Sequence, residues 1–205
     1  MPARPPIVLR DADREDAAAL INLWRECAET SRHEGVDVLA SAAMWHEPGV
    51  AEAAAALELN LASPDKRIIV ALVDGDIVGA VVCDIGTTSP INLTRVLVVT
   101  ELQVLPKYRR KSVASTLLSA AANYGEDFNC EIVATMTPAH DREPNRFLTK
   151  LGFSQVSVVR VAQASRLRSK LSTKATNSRD TGKLIAVRRT LRRRQLESRK
   201  MRPRP

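Results

Sequence analysis

The stretch from Thr100 to Ser115, TELQVLPKYRRKSVAS, does most to limit what this chain can fold into. Leu102 and Val104 alternate with Glu101 and Gln103, the period of two that marks a strand. Pro106 ends the ladder, because it has no amide hydrogen to donate. Lys107 to Lys111 predict a basic turn, and Ser112 opens a helix whose apolar face reads Val113, Leu117, Leu118 and Ala121. A strand, a basic turn and a helix start in that order make an anion site. Unpaired amides and the positive end of the helix dipole point out of the turn, beside cationic side chains. Phosphate is the anion that suits such a site.

Val104-x-Pro106-x-x-Arg109-x-x-Ser112-x-Ala114 resembles the acyl-CoA motif of the GNAT superfamily of N-acyltransferases, V-x-P-x-x-R/Q-x-x-G-x-G/A. Ser112 stands where that pattern has its first glycine, and Ala114 fills the second small position. Elements on either side follow the family's order over roughly residues 5 to 162. The opening LRDADREDAAAL is similar to the usual entry into such a domain, and Leu151-Gly152-Phe153 is similar to its late LGF signature.

Along the chain, Ile7 to Arg10 reads as a short strand. Asp11 to Asp16 then supply caps and acidic first-turn residues for a helix. That helix carries Ala19, Leu20, Leu23, Trp24 and Cys27 on one side and ends near Gly35. Residues 36–50 show no clear element, and Trp45, His46 and Glu47 there either line a pocket or simply pack a loop. An Ala-rich helix covers residues 51–62. Ile68–Val73 and Ile77–Asp84 are β-branched runs joined by Asp74-Gly75-Asp76, a hairpin in which Gly75 supplies positive φ. A loop is expected at Gly86–Pro90, a long strand at Leu93–Val104, a buried strand at Glu131–Met136 and a helix at Arg142–Leu151 stopped by Gly152. Ser154–Ala162 reads as a final strand. The expected class is α/β: a GNAT-like mixed sheet of about six or seven strands with helices on both faces. A basic helical C-terminal extension follows it. No clear seventh strand is legible, since Leu184–Val187 reads better as helix.

At 205 residues and 44% hydrophobic content, the chain can bury one core of ~150 residues and carry an appendage. The expected division is a domain over 1–162 and a tail over 163–205. Charge divides similarly: residues 1–156 hold 15 Lys and Arg against 21 Asp and Glu, a net −6. Residues 157–205 hold 16 against 2, a net +14. Cys27, Cys83 and Cys130 lack metal or redox spacing, so reduced thiols, no metal and a cytoplasmic location are expected. No signal core or apolar run of membrane-spanning length is present in the sequence.

In the tail, residues 166–171 suggest a short basic helix, residues 172–182 a linker, and Lys183–Met201 an Arg-rich helix. Residues 163–205 therefore suit a nucleic-acid or ribosome contact, a solvated tail, or docking on the acidic body.

The resemblance implies acetyl-CoA as co-substrate and an amine of a small molecule or protein as acceptor, joined by direct attack. Backbone groups of Leu102, Gln103 and Val104 would hold the thioester and pantetheine. The diphosphate would sit on the amides of Arg110, Lys111, Ser112, Val113, Ala114 and Ser115, with Arg109 and Lys111 adding charge. Glu101 is the one carboxylate on the strand and the candidate general base. Asp141 stands where many relatives have an asparagine contacting pantetheine, and Asn145 lies one helical turn further; either would hold a water that delivers the proton, with His140 adjacent. Leu148 occupies the position of the family's usual acidic tyrosine, while Tyr108 and Tyr124 lie elsewhere. The alternative class is a weak or inactive CoA-binding scaffold docked through its Arg-rich tail. A homodimer is one way to cover an edge left by a missing last strand.

Overall fold

The structure, a computed structural model, describes residues 5–33, 46–137, 141–157, 159–160 and 162–171, with side chains to residue 30 in the first helix. The expected break near Gly35, Trp45, His140, the linker, the Arg-rich helix and Leu184–Val187 lie outside the described residues. Backbone contacts divide the chain between Gln155 and Val156.

The first unit is built on β1 (Val8–Asp11), β2 (Lys66–Val73), β3 (Asp76–Ser89), β4 (Asn92–Val104) and β5 (Ile132–Thr135). They form one sheet in sequential order, antiparallel except for the parallel β4–β5 pair. Helices α1 (Ala17–His33), α2 (Val50–Leu61), α3 (Val113–Asp127) and α4 (Arg142–Lys150) accompany it. Ile68, Ile69, Val70 and Ala71 are all buried, and adjacent strand residues point to opposite faces, so both faces of β2 are covered. α3 lies across β2, β3 and β4, while α1 and α2 pack on each other and on the sheet. The core centres on Leu23, Val70, Val81, Leu97, Val99, Val113 and Leu117, all essentially without solvent contact.

The hairpin between β2 and β3 forms as its residues require. Asp74 and Gly75 take φ of 53° and 87°, the two successive left-handed residues of a primed turn that matches strand twist. Three expectations need correction. Gly86–Ser89 continues β3 instead of forming a loop, because Thr87 pairs with Arg95 in an arm beyond both β2 and β5. β5 is half exposed, with Ile132 at 49%, because it lies at the sheet's edge. No described residue of Ser154–Ala162 is in a strand, and the sheet has five strands among the described residues, below the six or seven expected. β-branched residues favour strands through their cross-strand neighbours, and Val156 and Val159 remain 92% and 65% exposed. In the second unit, residues 164–171 form the short basic helix.

Where β1 meets α1, Arg10 donates to both oxygens of Asp16 at 2.6 and 2.7 Å. Asp16 also accepts from the Asp13 amide at 2.9 Å, and Asp13 accepts from the Asp16 amide at 3.2 Å, a reciprocal cap. Hydrogen bonding from Arg10 holds the Asp16 carboxyl below its ordinary range, against the opposing effect of its burial. A depressed carboxyl contributes stability above its unfolded pKa of ~3.9 and loses it as pH falls through the folded value. Asp16→Asn is therefore expected to cost about 1–2 kcal/mol at pH 7, at the low end because Arg10 is 39% exposed. Urea unfolding at pH 7 and at acid pH checks this: the gap from wild type should narrow on acidification.

Candidate functional site

The parallel pairing of β4 and β5 ends at Val99 opposite Thr135, with the Met136 amide donating to the Val99 carbonyl at 3.4 Å. β4 continues to Val104 against β3 alone. The departure coincides with a bulge. Val82 faces Glu101 and Cys83 faces Val99, so Thr100 is the extra residue, its hydroxyl donating to the Val82 carbonyl at 3.5 Å.

That one residue shifts the alternation. Below it, Leu97 and Val99 are the fully buried side chains; above it, Leu102 and Val104 pack against the core and Glu101 reaches solvent. Backbone direction changes too. The Leu105 amide donates to Val78 at 2.9 Å, so Gln103 and Glu101, at the same parity, turn their backbone groups to β3. Leu102 and Val104 turn theirs away from β3, into the opening between β4 and β5. The Gln103 side chain donates to Glu101 at 2.9 Å.

Past Val104, a short 3-10 turn at Pro106–Tyr108 redirects the chain, with Tyr108 and Arg109 amides donating to Leu105 and Pro106. Arg110 and Ser112 then take left-handed φ of 58° and 68°. Ser112 caps α3 through its backbone, accepting from the Thr116 amide at 2.9 Å, with no side-chain cap. Among the described residues, the amides of Arg110 to Ser115 donate to no protein acceptor in turns, loops or caps. Six consecutive donors at a helix start are thus without a protein acceptor of that kind, at the positive end of the dipole. The Lys107 and Lys111 ammonium groups lie 5.4 and 5.0 Å from the Tyr108 ring centre. Arg110 pairs with Glu143 on α4 at 2.8 Å, and Arg109 stands 4.0 Å from the same carboxylate.

Two glycines seat α3. A Cβ on Gly79 would meet Val113 at 2.9 Å, the Gln103 carbonyl at 3.0 Å and Leu117 at 3.2 Å. A Cβ on Gly125 would lie 3.2 Å from Leu97. The helix therefore rests on bare backbone at both ends, which sets its first turn against β4. Gly79 was legible as a glycine inside a strand run, a signal of close backbone approach; its helical partner was not.

Glu101 is the carboxylate beside the opening. Protein crowding around it pushes its pKa up, and the Gln103 amide, donating at 2.9 Å, opposes that rise. Leu148 is buried in the core, with its carbonyl accepting from Phe153 at 3.1 Å. Tyr124 sends its hydroxyl to the Pro64 carbonyl at 3.4 Å, far along the chain from the opening. Asp141 caps α4, and its carbonyl accepts the Asn145 side-chain amide at 2.5 Å. Glu47 pairs with Arg25 at 3.1 Å, and His46 stands 3.8 Å from Glu52. Sequence reasoning missed Cys27 as part of this region. Its thiol, pushed up to about 11 by burial, donates to the Val104 carbonyl at 3.4 Å. Only its place on the buried face of α1 was readable.

The model of the Acetyltransferase (GNAT) family matches residues 18–153. The chain belongs to the GNAT family of acetyltransferases. Among curated proteins, this GNAT chain is 24% identical over 147 residues to the uncharacterized N-acetyltransferase YhfO of Bacillus subtilis (strain 168), spanning 72% of this chain and 89% of YhfO. Solved structures share the GNAT fold. Aminoglycoside N-acetyltransferase AAC(6')-Iy in complex with CoA superposes with a TM-score of 0.62 at 18% identity, over 80% of this chain and 97% of that one. A putative acetyltransferase from Agrobacterium tumefaciens str. C58 gives 0.60 at 22% identity, over 76% and 99%. An aminoglycoside acetyltransferase from an uncultured soil metagenomic sample, in complex with sisomicin, gives 0.57 at 16%, over 77% and 95%.

Two outcomes follow for the GNAT turn. Ser112→Gly should raise stability by about 1 kcal/mol in urea unfolding, because serine bears the left-handed conformation at a cost that glycine lacks. Gly79→Ala should lower it by roughly 1–3 kcal/mol, since the new methyl forces α3 off the sheet.

Proposed function

We propose that the chain transfers an acetyl group from acetyl-CoA to an amine of a small molecule or protein by direct attack, with both substrates bound together. The observation that carries this reading is the end of β4–β5 pairing at Val99, just ahead of a turn whose amides are unused by protein. Leu102 and Val104 backbone groups would hold the pantetheine. The amides of Arg110 to Ser115 would hold the diphosphate, with Arg109, Arg110 and Lys111 supplying positive charge. The Val104 carbonyl already accepts from Cys27, which leaves its amide as the group on offer.

Acetyl-CoA supplies a thioester carbon that accepts an amine lone pair as the carbon–sulfur bond breaks. An alkylamine with a pKa near ~10.4 arrives protonated at neutral pH. Glu101, its pKa raised by crowding, would remove that proton directly or through water. Leu148 offers no proton, so the second amine proton, lost as the amide forms, would pass through water to the leaving thiolate, whose acid has a pKa near ~8.5.

For the acceptor, net −6 over residues 1–156 favours a cationic amine. Two of the solved neighbours are named aminoglycoside acetyltransferases, which makes polycationic amines the first class to assay. Burial of Leu148 favours a second reading, an acyl-CoA-binding scaffold without turnover.

Calorimetric titration of acetyl-CoA into the full chain should show saturable binding below ~1 mM; no heat would reject the reading. Glu101→Gln should then lower kcat about 100-fold or more with acetyl-CoA affinity intact. In the wild type, kcat should fall as pH drops through the raised Glu101 pKa, a limb the variant lacks. Arg110→Glu should weaken acetyl-CoA binding more than Glu101→Gln does. Wild-type turnover in Glu101→Gln would reject Glu101 as base, and binding without turnover across an amine panel would leave the scaffold reading in its place.

A further inference from the structure

Glu143 is the acidic residue of the first turn of α4, and it faces the basic turn that follows β4. Its Oε1 accepts from Nε and from a terminal nitrogen of Arg110 at 2.9 and 2.8 Å. Its Oε2 lies 4.0 Å from Arg109. One carboxylate thus stands between two guanidinium groups of the turn, holding them as an anionic oxygen pair on a ligand would. Packing does not compel the Arg110 half of this contact, although Arg109 is only 29% exposed. The Arg110 side chain is 86% exposed and that of Glu143 is 45% exposed, so the contact is held by charge and can exchange at little cost.

We infer that Glu143 is an internal competitor for the diphosphate of the acyl donor, occupying the arginine pair until the donor claims it. The inference rests on the acyl-CoA reading above and concerns what tunes affinity at that same site. A diphosphate carries more charge than one carboxylate and can also take the outward amides of Arg110 to Ser115, which Glu143 does not use. It therefore displaces the carboxylate from Arg110 and Arg109. Glu143 is then left beside a like charge, which penalises the bound state further. Both effects make the donor's affinity lower than the turn alone would give. Both are screened by salt. An acyl donor that lacks the diphosphate leaves the ion pair undisturbed and feels neither effect.

The test compares Glu143→Gln with wild type, using the full chain and two probes: acetyl-CoA, and acetyl-pantetheine, which lacks the diphosphate. Glutamine keeps the size and removes the charge. Glu143→Gln should bind acetyl-CoA about two- to fivefold more tightly at low ionic strength. The gain should shrink toward unity at about 1 M salt, and acetyl-pantetheine affinity should not change. Inorganic pyrophosphate, titrated alone, should gain by a similar factor. The double variant Arg110→Gln with Glu143→Gln should lose most of the gain, and thermal unfolding of Glu143→Gln reports whether the fold is kept. Weaker acetyl-CoA binding in the variant would overturn the inference and make Glu143 a support for the turn. Equal affinity in both proteins, or the same gain for both acyl donors, would also overturn it while leaving the acyl-CoA reading standing. Absence of acetyl-CoA binding in either protein would bring down both.

Discussion

A single unpaired residue in β4 governs what this sheet can do. With Thr100 bulged out, Val99 still bonds toward β5, while Glu101 and Gln103 bond toward β3. The strand beyond therefore lacks β5 on the side where β5 should continue, and Leu102 and the amide of Val104 turn their backbone to that side. A regular strand would have kept its alternation, and Glu101 would share the buried parity of Leu97 and Val99. The carboxylate, the opening and the exposed backbone are consequences of one local irregularity, held in place by the long pairing of β3 with β4.

The second constraint is contact distance. α3 carries the outward amides of its first turn, and their position is fixed by where the helix axis sits above the sheet. Gly79 and Gly125 let that axis approach to side-chain-to-backbone contact at both ends, with Val113, Leu117 and Leu97 filling the layer between. The turn that opens α3 is thus braced from below by hydrophobic packing. Its own residues can be charged, left-handed and exposed without carrying the load of the fold.

Much of this was readable in the sequence, for identifiable reasons. The strand, turn and helix around Pro106 declare themselves through period-two alternation, a missing donor and a 3.6-residue apolar stripe, each a local rule. The Asp74-Gly75 hairpin is equally local. What escaped was set by neighbours. Gly86–Ser89 carries loop composition yet pairs because Asn92–Arg95 lies opposite. Ser154–Ala162 carries strand composition, yet its described residues are outside the sheet. At the site, the motif marked Ser112 as out of place, and the left-handed φ there shows why glycine suits the position. The bond from Cys27 to Val104 joins residues 77 positions apart, and no spacing rule announces it.

The state of the cysteines bears on how transfer by such a chain can be followed. Each cycle of acyl transfer from a thioester liberates one thiol, the usual handle for colorimetric reagents that work by disulfide exchange. Those reagents need thiolate at the surface. Cys27, Cys83 and Cys130 are all buried, and the first two have thiols pushed up to about 11. While folded, the protein's own sulfur stays silent, so new thiol signal above a blank reports liberated CoA, and a rising blank reports unfolding.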